Sequence, residues 1–220
     1  MSISVSKRWP PSESELAAVV VRWLREQEWE VFQEVQATRG GRRADIVAKR
    51  GRLLWAIEAK RSLSLALLEQ GVSWQWRAHH VSVAFPLGKG RGMGLAVCKW
   101  KGLGALAVTE DRVVERLAPR LNRRIGGHLA DVLVPQQADY APAGNAGGAF
   151  WSPFKETCQN VLAFVREHPG CTSKELVEGV DHHYHSSATA RSALLHWVGA
   201  GKIPGIRVEV EKRRARYYPV

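Results

Sequence analysis

The order of apolar and polar residues in the first half of the chain changes between two periods. At residues 13–28, apolar side chains recur every three or four positions, which predicts an amphipathic helix with one buried stripe. At 29–35 they alternate with polar ones, as in a half-buried strand. Residues 43–48 and 54–60 are two apolar runs on either side of a basic turn that contains Gly51, so they predict a β-hairpin.

Helical and strand periods continue to alternate after the hairpin. A strand that follows a helix is expected to lie parallel to the strand at 54–60, through a right-handed crossover. The pattern therefore predicts an α/β fold with a mixed sheet. The further elements predicted in this half are a helix at 62–77 with Ser62 as its N-cap, a strand at 81–86, a helix at 89–100, strands at 103–108 and 112–117, and a helix at 121–133.

The composition changes near the middle of the chain, where a segment rich in alanine, glycine and proline predicts a linker. We therefore expect a first domain at 1–135, the linker at 136–152 and a small α+β domain at 153–220. The second domain is predicted to contain three helices and a hairpin with a basic tip, at 154–167, 172–180, 187–200 and 206–218.

The composition of the 220-residue chain argues against two classes of protein. It has no long apolar run and no signal-peptide pattern, so we expect a protein that is not secreted and has no membrane partner. Three cysteines without C-x-x-C spacing favour reduced thiols in the cytoplasm over disulfides or a zinc site. The net charge of +11 favours nucleic acid as partner and a nucleoid location, although charge alone leaves a generic basic protein equally open.

The hairpin carries the residues with the clearest chemistry. A tight turn places Asp45 directly or diagonally opposite Glu58, on the strand that also presents Lys60. Two neighbouring carboxylates repel each other, and a divalent cation with oxygen ligands, Mg²⁺ or Mn²⁺, relieves that repulsion. Such a cation activates water for attack on a phosphate, and Lys60 is placed to hold the water or the phosphate oxygens. The alternative is an edge hairpin with three solvated charges.

This pattern resembles the motif of the PD-(D/E)XK nuclease superfamily. Glu58-Ala59-Lys60 matches (D/E)XK, and Ala44-Asp45 stands where the motif has Pro-Asp. The order of helix, strand, hairpin, helix and strand is that of the αβββαβ restriction-endonuclease-like core. The resemblance implies that Asp45 and Glu58 are metal ligands, that the Ala59 carbonyl adds a ligand, and that Lys60 is the catalytic lysine.

The resemblance covers about residues 13–119 and implies further polar groups at the site. Gln70 is the best match for a glutamine that many members carry on the helix after the motif; a surface glutamine is the alternative. Glu13 or Glu15 would supply the acid that many members place on the first helix. The alternative is that these glutamates only interact favourably with the positive end of the helix dipole. Independently of the family, Glu34 lies just before the loop that enters the hairpin, so it could reach the site or pair with a nearby arginine.

Two regions are predicted to contact DNA. The loop at 37–43 is basic and Gly-containing, which suits a phosphate backbone. The second domain resembles a winged helix-turn-helix, in which the third helix enters the major groove and the wing touches the backbone. A small helical interaction domain is the alternative, and the histidines at 182–185 do not suit one tetrahedral metal site. The predicted DNA contacts are Arg39, Arg42 and Arg43 in the loop, Ser187, Thr189, Arg191 and His196 on the third helix, and Lys212, Arg213, Arg214 and Arg216 on the wing.

The sequence thus predicts a metal-dependent endonuclease that hydrolyses phosphodiester bonds in DNA. A winged helix favours duplex DNA as substrate and leaves RNA open. Cutting both strands would favour a homodimer or a partner protein. The alternative from another class is a non-catalytic DNA-binding or regulatory protein with a nuclease-like fold, although the intact Asp45, Glu58 and Lys60 argue against a decayed site.

Overall fold

The computed structural model describes residue 9 and residues 12–37, 42–89, 92–126, 129–145, 150–211 and 214–220. The chain forms two compact units, Met1–Trp151 and Ser152–Val220. Each unit has its own apolar core. Among the described residues, no helix is both long and apolar enough to cross a membrane.

The first unit is built on a six-stranded sheet whose strands follow one another in chain order. The third, fourth and fifth strands are parallel to each other, and the remaining neighbours are antiparallel. This mixed sheet confirms the predicted α/β class. Its elements are α1 (Glu13–Arg25), β1 (Glu30–Gln36), β2 (Arg43–Arg50), β3 (Leu53–Ala59), α2 (Leu65–Trp74), β4 (His80–Pro86), α3 (Met93–Lys101), β5 (Gly104–Val108) and β6 (Val113–Leu117).

Helices cover both faces of the sheet. Leu16, Val20 and Leu24 of α1 are fully buried and pack with Ile57 on one face, as their three- and four-residue spacing requires. On the other face, α2 and α3 bury Leu67 and Cys98 in a second core. The hairpin strands β2 and β3 therefore lie between two apolar layers, which explains their nearly continuous burial.

The helix predicted at 121–133 is wrong for the described residues. Residues 121–126 have no helical backbone, and a single 3₁₀ turn spans Ala130–Val132. The backbone N–H of Asn122 donates to His79 O, and its side chain donates to Ala78 O. These bonds tie the segment to the connection between α2 and β4, so they replace the bonds within a helix.

The segment predicted as a linker packs against the first unit where it is described. A 3₁₀ turn at Pro135–Ala138 contacts β1, and the Gln33 side chain bonds to Ala138 O and to Ala143 N. Ala141, Ala143 and Trp151 are buried. The first unit therefore extends to Trp151, beyond the predicted boundary at 135.

Among its described residues, the second unit contains three helices and a three-stranded antiparallel sheet, in which the last strand of the chain lies in the middle. Thr172 and Glu175 form a capping box at the start of its second helix, as their spacing predicts. Leu176, Leu194 and Tyr217 lie at the centre of its core. The elements are α4 (Pro153–Glu167), β7 (Cys171–Thr172), α5 (Ser173–Gly179), α6 (Ser187–Gly199), β8 (Ile206–Glu211) and β9 (Arg214–Pro219).

Candidate functional site

The register of the β2–β3 hairpin brings two carboxyl groups together. Ile46 pairs with Ile57, so one further step along both strands sets Asp45 opposite Glu58. The Asp45 and Glu58 carboxyl groups share a hydrogen bond. The backbone N–H of Ala59, at the buried end of β3, donates to Asp45 Oδ2 at 2.8 Å. Both acids are thus fixed by the backbone geometry of one hairpin.

Burial makes this pair of acids electrostatically unfavourable when both are charged. Only 2% of Glu58 is exposed, and burial together with the Asp45 charge raises the pKa of Glu58 well above its usual range. Burial also raises the pKa of Asp45, against the opposing effect of the Ala59 N–H. The Trp74 indole N–H donates to Glu58 Oε1 at 2.6 Å and favours its charged form. A cation between the two carboxylates would remove the unfavourable interaction.

A lysine and a third acid flank the pair. Lys60 follows β3, and its Nζ lies 3.7 Å from Glu13 Oε2. The Lys60 charge opposes the rise in the pKa of both Asp45 and Glu58, so Lys60 interacts with the acid pair as well as with Glu13. Of the two acids predicted on the first helix, Glu15 hydrogen-bonds to the N-cap Ser12, and Glu13 approaches the site.

Glu34 fits both alternatives that the sequence left open, because it pairs with an arginine and also lies close to the acid pair. It ion-pairs with Arg43 and accepts the Asn145 backbone N–H at 3.3 Å. It also lies across from Asp45, between the Gln33–Ile46 and Val35–Ala44 pairs, and the Asp45 charge contributes to its raised pKa, for which burial is the main cause. Glu34 has a φ of 54°, a left-handed conformation that is unfavourable for glutamate.

A cleft of about 300 Å³ opens beside Glu58. Gln70 lines it, and within the described residues its buried Oε1 has no hydrogen-bond partner. Arg42 lies at the same cleft and pairs with the exposed Glu69 at 3.3 Å, while Arg43 is held by Glu34. Gln70, Arg42 and Arg43 therefore face the same space as Glu58, whereas Arg39 lies outside the described residues.

The second unit exposes most of the side chains that were predicted to contact DNA. Ser187, Thr189, Arg191 and His196 are exposed on α6, and Arg214 is exposed at the start of β9. Lys212 and Arg213 lie outside the described residues.

Two residues of the second unit are held by internal contacts. Arg216 donates to Gly170 O at 2.9 Å, so its guanidinium is partly committed within the unit. His183 lies 2.8 Å from Thr157 Oγ1, which gives that histidine a structural contact.

Two contributors to the site had little signal in the sequence. Nothing in the spacing of Trp74 indicates a bond to Glu58, sixteen residues earlier. The segment 143–145 belongs to the predicted linker, yet its backbone bonds to Gln33 and Glu34. Only tertiary packing brings these groups together.

The donor set suits a hard divalent cation. Asp45 and Glu58 offer carboxylate oxygens, and Mg²⁺ commonly takes one or two carboxylates and completes its shell with water and phosphate. Within the residues described by the structure, no group of three or more His, Cys, Asp or Glu side chains is arranged to hold a metal ion.

Comparisons with known proteins include one structural similarity. No protein-family model and no curated protein matches the chain. The solved structure of SPO1766, a protein of unknown function from Silicibacter pomeroyi, is similar, with a TM-score of 0.42 and 17% identity over 57% of this chain and 82% of that one.

Proposed function

We propose that the first unit is a Mg²⁺-dependent nuclease of the PD-(D/E)XK type. The observation that carries the proposal is the placement of Asp45 opposite Glu58 at the end of a buried hairpin, with Lys60 directly after it. A surface hairpin with three solvated charges would have no reason to bury Glu58 beside another acid. The raised pKa of both acids marks the pair as a candidate functional site.

The chain's own groups divide the work of phosphodiester hydrolysis. Asp45 and Glu58 would hold the cation, with the Ala59 carbonyl as an additional ligand. A cation there supplies charge neutralisation at the phosphate and a water of lowered pKa. Lys60, positioned by Glu13, orients that water or stabilises charge on a phosphate oxygen. Gln70 and Arg42 line the cleft where the substrate backbone would lie.

We propose that the second unit is a winged helix-turn-helix that binds duplex DNA. Its order of three helices and a hairpin supports this assignment, and α6 exposes Thr189 and Arg191, which suit contacts with bases or phosphates. The unit would supply affinity, and the first unit would supply the chemistry.

Plasmid cleavage with Mg²⁺ or Mn²⁺, and with EDTA as a blank, tests the proposed function. We expect wild type to nick or linearise the plasmid, and Asp45→Asn and Lys60→Gln to lose at least about 100-fold in rate. Lys49→Gln is the matched control, because Lys49 lies on the same hairpin and pairs only with Glu30 at 3.8 Å among the described residues. It should retain wild-type activity.

Two outcomes would reject the assignment. Cleavage that survives Asp45→Asn would place the site elsewhere. DNA binding without any cleavage by wild type, with either metal, would favour the non-catalytic DNA-binding protein. Parallel assays on RNA decide the substrate class.

A further inference from the structure

The α2–α3 side of the first unit carries two exposed indoles. Trp100 is 76% exposed and Trp76 is 61% exposed, although most tryptophans in folded proteins are largely buried. Trp76 follows the end of α2, and Trp100 lies in the last turn of α3. The Gln75 side chain donates to Lys101 O, so the neighbours of the two indoles are in direct contact. Both rings therefore lie at one corner of the unit.

Cations surround these indoles. Lys101 Nζ lies 4.3 Å from the Trp100 ring centroid. The segment 120–126 is tied to the same corner, because Arg120 N donates to Gly102 O at 3.0 Å and Gly126 N donates to Trp76 O at 2.7 Å. It exposes Arg120, Arg123 and Arg124. Here these six residues (Trp76, Trp100, Lys101, Arg120, Arg123 and Arg124) are called the aromatic corner.

The two stretches of chain that build the aromatic corner carry charge of one sign. No aspartate or glutamate occurs at 70–109 or at 116–130, the two stretches that build it. Within the described part of the chain, its lysine and arginines form no ion pair. A positive surface without acidic partners favours a polyanion such as a nucleic-acid strand over a neutral protein partner.

We infer that the aromatic corner binds an unpaired stretch of nucleic-acid strand, with bases stacked on Trp100 and Trp76 and phosphates held by the cations. Exposed aromatic rings beside a basic surface are the features by which proteins hold single strands, because each base has a face that can stack. Bases in a duplex already stack on each other, so their faces are not free to stack on Trp76 or Trp100. The inference deepens the proposed nuclease function by naming a feature of its substrate.

The aromatic corner follows the cleft closely along the chain. Ala66, Glu69, Gln70 and Trp74 of α2 line the cleft beside Glu58, and Trp76 comes two residues after Trp74. A single strand bound at the corner would therefore reach the chain next to a residue that lines the proposed cleavage site.

The binding test uses the full chain carrying Asp45→Asn, in EDTA, so that cleavage does not enter. Anisotropy with labelled oligothymidine of about 15 nucleotides is compared with a blunt duplex of the same length. Trp100→Leu should weaken single-strand binding by about 5- to 100-fold and leave duplex binding unchanged. Trp100→Phe should stay close to wild type, because phenylalanine still stacks. Trp100 is mostly exposed, so neither variant is expected to unfold, and melting curves check this.

The salt dependence of binding provides a second readout. Arg123→Gln should lower the slope of log affinity against log salt on the single strand by about 0.7. Arg52→Gln, at the exposed tip of the β2–β3 hairpin, is the control and should leave the slope unchanged.

Three results would overturn the inference. The first is equal single-strand binding by Trp100→Leu and the parent chain. The second is a Trp100→Leu variant that loses affinity for the blunt duplex by the same factor as for the single strand. The third is a Trp100→Leu variant that changes only self-association in sedimentation, which would make the corner a protein interface. Because binding is measured without metal, each of these results leaves the cleavage test of Asp45 and Lys60 independent.

Discussion

At the scale of single residues, the environment of Glu58 decides what the site can do. Burial and Asp45 favour its protonated form, whereas the Trp74 indole and the Lys60 charge favour the carboxylate. The indole bond at 2.6 Å also fixes Oε1, so the carboxylate cannot rotate freely. Trp74 is therefore a positioning residue for a group that would bind the cation, as outer hydrogen bonds commonly are in metal sites.

Replacing Trp74 by phenylalanine should separate this role from simple packing. Trp74→Phe keeps an aromatic ring in the core but removes the donor to Glu58, so Mn²⁺ affinity should fall by about 10- to 100-fold in calorimetric titration. Trp23→Phe is the matched control, because Trp23 contacts Trp55 on the other face of the sheet. The positioning role is refuted if both variants bind Mn²⁺ as wild type does.

The residue-scale features differ in how far the sequence predicts them. The Asp45–Glu58 pair follows from a two-residue hairpin loop, because Arg50 pairs with Leu53 and fixes every later partner. The bond from Trp74 to Glu58 depends on how α2 packs on the sheet, which no local pattern specifies. The sequence gives no sign of the left-handed backbone at Glu34 either, since glutamate has no preference for that conformation.

At the scale of elements, hydrophobic periodicity located the strands better than it located helix ends. Ser64, not Ser62, caps α2, because its side chain accepts the Leu67 N–H. The helix predicted to begin at 89 begins at Met93, after Gly92 with a φ of 62°. The false helix at 121–133 shows the limit of such patterns, since its backbone finds partners in another part of the chain.

One glycine connects the segment after the sheet to the site. Gly144 has a φ of 68°, and a Cβ there would lie 3.1 Å from the backbone carbonyl of Glu13. The same stretch gives Glu34 its backbone donor at Asn145. A side chain at Gly144 would therefore push apart two parts of the site that rigid backbone now holds together.

We predict that Gly144→Ala lowers cleavage at least about 10-fold, because a small displacement of Glu34 and Glu13 misplaces the groups around the acid pair. It should also lower the free energy of unfolding by about 1–2 kcal/mol through backbone strain. Gly51→Ala carries similar strain, with a φ of 59°, but its Cβ would meet nothing within 4 Å. Gly51→Ala should lose stability in urea unfolding and keep its activity; equal activity losses in both variants would contradict this account.

At the scale of the whole molecule, the proposed function assigns chemistry to the first unit and affinity to the second. Each unit buries its own apolar core, so each contains what it needs to fold. The composition of 136–152 predicts a flexible connection, but Ala143 lies in a core of the first unit, and that unit extends to Trp151. A composition rich in small residues does not distinguish a linker from a closely packed strap, because small residues suit both.

The boundary after Trp151 can be tested by comparing two truncated chains, 1–151 and 1–135. The longer one retains Trp151, Ala143 and the Asn145 donor to Glu34, so it should unfold cooperatively and cleave DNA at a saturated rate within a few-fold of the full chain. Its affinity for duplex DNA should fall at least about 10-fold, because the phosphate contacts proposed for the second unit are gone. The shorter one lacks buried Ala143, both partners of the Gln33 side chain and the Asn145 donor to Glu34, so it should lose at least about 3 kcal/mol of stability together with cleavage. Circular dichroism melting and the plasmid assay measure both effects. If 1–135 is as stable and active as 1–151, then the segment 136–151 is a linker, and Asn145 has no part in holding Glu34 at the site.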